Sequence, residues 1–108
     1  MVKNIPLTQK SIDKIDKELV GKKITSYQMI IFGSWAKNRA KRYSDIDLAI
    51  VSPNFGKDYV AENMMLRRIT TKIDDRIEPI AISNKDLSEK YSFISAEIRK
   101  TGKVIKQY

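Results

Sequence analysis

The sequence predicts a single α/β domain spanning residues 1–108, and three observations carry that expectation. Short apolar runs rich in β-formers alternate with segments whose apolar residues recur every three or four positions, so strands and helices follow one another along the chain. A length of 108 residues is that of one domain. No repeat, low-complexity tract or linker divides it, and 42% hydrophobic with 31% charged residues suits a packed core rather than disorder.

Met1 to Leu7 reads as a loosely held end. Thr8 can cap a first helix in which Ile12, Ile15 and Leu19 recur at helical spacing, with Gly21 as a candidate C′ glycine. Tyr27 to Phe32 is a short run of β-formers and predicts a buried strand. Gly33 ends it, and Ser34 can cap a brief basic helix through about Ala40. Ser44 and Asp45 begin a second strand that runs to Val51, and Ser52-Pro53-Asn54 with Gly56 marks a loop. Asp58 can cap a longer helix with Met65, Ile69 and Ile73 at intervals of four. The Met64-Met65-Leu66 cluster within it reads as core packing. Asp74-Asp75 is a turn candidate and Ile77 to Ile82 a third strand, which Pro79 assigns to an edge, a bulge or a strand start. Asn84 or Asp86 opens a last helical region; Asp86 with Glu89 resembles a capping box, and Phe93, Ile94 and Ile98 form an apolar face. Gly102 ends it, and Lys103-Val104-Ile105 reads as a final strand. The expected order is α-β-α-β-α-β-α-β.

Composition removes several chemistries. With no cysteine there is no disulfide and no thiolate metal site. With no histidine there is no imidazole for a zinc hydrolase or a Ser-His-Asp site. A metal must then be held by oxygen, which favours magnesium or manganese. The net charge of +8 implies anionic partners such as nucleotides, RNA or an acidic protein, although a Lys-rich solvated surface accounts for it equally well. The first residues lack the apolar core of a secretory signal, and no apolar run approaches a membrane span, so a cytoplasmic protein is expected.

The chemistry gathers in Gly33–Val51. Asp45 and Asp47 are two apart on a predicted strand, so their side chains leave the same face from Cα atoms ~6.5 Å apart. Two carboxylates so placed can share divalent cations, which in paired sites lie ~3.5–4 Å from one another. A D-x-D alone is commonly just solvated charge. The preceding Gly33-Ser34 adds a close backbone turn, a hydroxyl, and amides with a helix dipole aimed at an anion. If the two strands are neighbours, an anion cradle stands beside a metal site, which suits a metal-bound nucleoside triphosphate.

Gly33-Ser34, ten intervening residues and Asp45-Ile46-Asp47 resemble the G-S-x10-D-x-D signature of the nucleotidyltransferase superfamily with a DNA polymerase β-like fold. The flanks IIFGSWA and SDIDLAIV, and the brevity of the chain, resemble its minimal nucleotidyltransferase branch, often encoded beside a helical HEPN-type partner. The resemblance implies a small mixed sheet with helices packed mainly on one side. It implies that Gly33 and Ser34 contact the triphosphate, and that Asp45 and Asp47 ligate magnesium, two ions in all, with manganese as a substitute. A third carboxylate belongs on a later strand, where it can also help deprotonate the acceptor. Glu78 is the best match, with Asp74 and Asp75 as rivals, although aspartate is more frequent at that point. Lys37 stands where arginine is frequent and would neutralise phosphate as a point charge. Arg39 and Arg42 are further cations for that task, with plain solvation as the alternative for each. Asn38 replaces a common glycine and tolerates the same turn.

The activity implied is a metal-dependent transfer of AMP from ATP to a hydroxyl. By family resemblance the acceptor is a tyrosine on a HEPN-type toxin, making this chain the antitoxin, and a partner chain supplies the acceptor because 108 residues leave no room for a second domain. The alternative is a catalytically weak or inactive module that acts by binding its partner protein or RNA. Nucleic-acid binding has no reader motif in the sequence to support it, and no membrane association is expected.

Overall fold

A computed structural model of the chain describes residues 6–36, 45–89 and 92–107. Its elements are α1 (Gln9–Gly21), β1 (Gln28–Phe32), β2 (Ile46–Val51), α2 (Tyr59–Thr71), β3 (Ile77–Ile82), α3 (Asn84–Ser88), α4 (Phe93–Thr101) and β4 (Lys103–Gln107). The strands form one mixed sheet in the order β3-β2-β1-β4. β1 runs antiparallel to β2 and to β4, whereas β2 and β3 are parallel and joined through α2.

Alternation along the strands sorts the core into two layers. Met29, Ile31, Ile46, Leu48 and Ile50 face one way and pack with Ile12, Ile15 and Leu19 of α1 and Leu66 and Ile69 of α2. Ile30, Phe32, Ala49, Val51 and Ile82 face the other way and meet Ile98 of α4, with Leu87 of α3 alongside. The two long helices thus share one face, the side the family resemblance implies for most of the helical packing, and the shorter pair covers part of the other.

The expected strands form within a residue or two of their predicted bounds, and Pro79 lies in β3, an edge strand. Thr8 caps α1 by accepting from the Ser11 N–H, and Asp58 caps α2 by accepting from the Ala61 N–H. Five local expectations need correction. Gly21 is the last residue of α1, not its C′ glycine. The left-handed position is Lys23 (φ 65°), where Lys23 N–H donates to Val20 C=O and Ile24 N–H to Leu19 C=O, a Schellman closure made without glycine because Ile24 and Leu19 are both buried. Residues 33–36 are a turn, not the start of a helix at Ser34, and the rest of that expected helix lies outside the described residues. The last helical region is two helices, capped by Ser83 and Ser92, so Asp86 and Glu89 form no capping box. Phe93 opens α4 in an exposed position, 82% accessible, and only Ile98 of the expected apolar face is buried. On α2 the buried stripe is Leu66, Ile69 and Thr70, with Met65 and Ile73 only partly covered.

Candidate active site

The β1–β2 register sets Phe32 opposite Asp47, so Gly33 begins its turn directly beside that carboxylate. The β2–β3 register sets Asp47 beside Glu78. Asp47 therefore lies between the glycine turn on one flank and Glu78 on the other, with all three near one end of the sheet. Asp45 is exposed, one residue before β2.

Gly33 has φ +73°, and a Cβ there would collide with the Asp47 carboxylate. Its N–H donates to Thr101 Oγ1 at 3.2 Å, and the same hydroxyl donates to Glu97 C=O at 2.8 Å. Gly102 lets α4 come this close, because a side chain there would meet Ile98 C=O and Ile30. The last turn of α4 thereby anchors the turn at Gly33.

Asp47 has its pKa raised, first by burial and then by the negative charges of Asp45, Glu78 and Glu97. Asp47 thus feels three other carboxylates, and any cation held beside it would be held by oxygen. Among the described residues, no three are gathered into a closed cation-binding group. Glu78 instead pairs with Arg67 of α2, Nη2 to Oε2 3.1 Å.

The rival third carboxylates are differently engaged. Asp74 accepts from the Arg76 guanidinium at 2.8 and 3.1 Å and from the Arg76 N–H at 3.0 Å. That guanidinium holds the Asp74 carboxyl below its ordinary range. Asp75 lies in the exposed turn before β3. Ser34 is exposed in the turn after β1. Lys37 and Arg42, with Asn38 and Arg39, lie outside the described residues.

Sequence reasoning missed Arg67, Glu97 and Thr101. Nothing in the local pattern of α2 or α4 points to residues 33 or 78; only the strand register and the docking of α4 do. Away from these carboxylates, a cavity of about 380 Å³ lies against the later part of β3, lined by Ile80, Ile82, Ile94, Asp86 and Tyr59 among others. Among the described residues no helix is long and apolar enough to cross a membrane.

A model of the nucleotidyltransferase domain family matches residues 12–108. A protein of Methanocaldococcus jannaschii, named as a proposed protein adenylyltransferase, is 36% identical over 66 residues. That match takes in 57% of this chain and 45% of the relative, so the chain spans less than half of that protein's length. Among solved structures, a proposed nucleotidyltransferase from Sulfolobus solfataricus is similar with a TM-score of 0.63 at 21% identity, over 91% of this chain and 78% of its own. A toxin–antitoxin structure with AMP-PNP gives 0.64 at 19% identity, over 94% and 75%. A mutant of the toxin–antitoxin MntA-HpeT gives 0.61 at 17% identity, over 94% and 75%. At these identities the likeness is one of fold: the four-stranded mixed sheet and its helices match those of nucleotidyltransferase structures.

Proposed function

The chain belongs to the nucleotidyltransferase domain family, and we propose that it transfers AMP from ATP to a hydroxyl on a partner protein, residues 1–108 acting as one domain. The observation that supports this most is the register that flanks Asp47 with the Gly33 turn and with Glu78. Asp45, Asp47 and Glu78 would hold the metal. Gly33 and Ser34 would receive the triphosphate, with Lys37 and Arg42 as added cations. Magnesium or manganese, when bound, would activate the acceptor oxygen and offset charge on the leaving group.

The acceptor oxygen forms a bond to the α-phosphorus as the bond to the pyrophosphate oxygen breaks, and the hydroxyl proton passes to a carboxylate. Glu78 is suited to that proton, because it stands next to Asp47 in the sheet and is half-exposed. The toxin–antitoxin neighbours support a partner toxin, and a tyrosine of a HEPN-type helical chain is the proposed acceptor, which would make this chain the antitoxin. A cytoplasmic setting follows from that role.

The test is transfer of label from ATP to the co-expressed partner with magnesium. Asp45→Asn and Asp47→Asn should each lower labelling at least about 100-fold, in line with the loss of one electrostatic group at a reacting centre. Asp47→Asn also removes the centre of the like-charge cluster, so without divalent ions it should melt no lower than wild type, and lost labelling then reports chemistry rather than unfolding. Wild-type labelling by both variants would end this reading.

The exposure of Phe93 and Ile94 favours a second reading, a module that works by covering its partner. An Asp45→Asn/Asp47→Asn chain that still neutralises the partner would support binding alone.

A further inference from the structure

Arg67 belongs to the helix on the opposite face of the sheet, yet its guanidinium reaches past the outer edge of β3 to Glu78. The pair is accessible on both sides, with Arg67 67% and Glu78 46% exposed. An ion pair in that setting is weak and readily exchanged. It is nevertheless the contact that engages the carboxylate standing next to Asp47 in the sheet. Resting on the functional reading above, we infer that Arg67 is a displaceable counter-cation that occupies Glu78 until a metal–nucleotide complex arrives, and so makes the site selective for that complex over the bare ion.

The selectivity follows from the signs of the charges. A bare divalent cation that takes Glu78 must displace the guanidinium and then sit beside it, like charge against like. The same ion bound to a nucleoside triphosphate arrives as part of a net anion. Arg67 is then attracted rather than repelled, and its planar fork fits phosphate oxygens as well as it fits a carboxylate. Arg67 is in these terms a positioning residue acting through Glu78.

A double-mutant cycle tests this by titrating Mn2+ against wild type, Arg67→Gln, Glu78→Gln and the double variant, read by the spin resonance of free Mn2+. Arg67 is a surface side chain, and unchanged melting confirms that each variant is folded. Arg67→Gln should bind bare Mn2+ roughly 1.5- to 5-fold more tightly than wild type, the range that an exposed ion pair can impose. Arg67→Lys, which keeps the charge, should stay near wild type. In the Glu78→Gln background Arg67→Gln should add nothing. With AMP-PNP present the tightening should vanish. No tightening, or equal tightening with Glu78 neutralised, overturns the inference, the second result marking a diffuse field effect. Tightening that persists with AMP-PNP also overturns it. The functional reading has its own control: if wild type binds no Mn2+, or Asp45→Asn/Asp47→Asn binds it as well as wild type does, that reading fails and this inference with it.

Discussion

Gly33 answers two demands that one added methyl group would violate. Its backbone is left-handed, and the space where a Cβ would stand belongs to the Asp47 carboxylate. Gly33→Ala should therefore cost about 2–5 kcal/mol, the sum of a left-handed alanine and an overpacked contact. Label transfer should fall at least about 100-fold, because either Asp47 or the turn must shift. Paired measurements of urea unfolding and transfer check this; a variant with normal transfer would show that the turn does not set the position of Asp47. Asp47 itself is partly buried among like charges. Its folded pKa is raised, so it binds a proton more tightly folded than unfolded. Its stabilising contribution is complete below its ordinary value and is lost as pH rises through the folded one.

The outer edge of β3 shows how an element can be protected without a further strand. Its outward donors are residues 77, 79 and 81. Ile77 N–H goes to Asp74 C=O at 3.1 Å, Pro79 has no N–H, and Ala81 N–H goes to the Asn63 side chain at 2.9 Å. Just beyond the strand, Ser83 N–H donates to Tyr59 Oη at 3.0 Å. With every outward donor engaged, the edge offers little to an added strand. Asn63→Ala should leave the Ala81 N–H without its partner and destabilise the fold by about 1–3 kcal/mol. It should also raise concentration-dependent association in size-exclusion chromatography; urea unfolding unchanged from wild type would refute the role given to Asn63. Pro79 narrowed β3 from sequence to an edge, a bulge or a strand start, because proline removes a donor wherever it stands, and the sheet order makes it an edge. Asn63 gave no such sign, since its importance comes from where α2 lies over β3. The same division runs through the site. Gly33, Asp45 and Asp47 were legible because one hairpin sets their spacing, and Glu78 was named through a resemblance. Arg67 and Thr101 were not legible, because their contacts cross 11 and 68 positions and depend on packing. Local rules failed where two caps competed: Ser83 and Ser92 each took a short helix, so the region begins at Asn84, one of the two expected starts, but is not one continuous helix.

At the scale of the whole molecule, acid stability should depend on the turn that leads into β3. Asp74 grips Arg76, whose guanidinium also reaches Pro6 C=O at 3.5 Å, so this pair ties the start of β3 to the segment before α1. The Arg76 guanidinium holds the Asp74 pKa below its ordinary value near 3.8. The sign is that of a depressed acid: the stabilisation is present above 3.8 and is lost as pH falls through the lower, folded value. Arg76→Ala should lower stability at pH 7 by about 1 kcal/mol, discounted for partial exposure. The gap from wild type should narrow as pH falls below 3.8 through the lower, folded value; a gap that stays constant in acid would assign the loss to packing instead. The anchoring of Gly33 by Thr101 has a consequence for how the protein is made. Synthesis is vectorial, and 68 positions separate the glycine from the hydroxyl that receives its N–H. At ~5–20 residues per second, that lag is about 3–14 s. Through that interval a nascent chain can carry Gly33, Asp45, Asp47 and Glu78 while the support behind the turn does not yet exist. A chain cut short before Thr101 would hold the whole D-x-D signature without the hydroxyl that anchors the turn, so the proposed transfer should be lost in it and should appear only once α4 can dock.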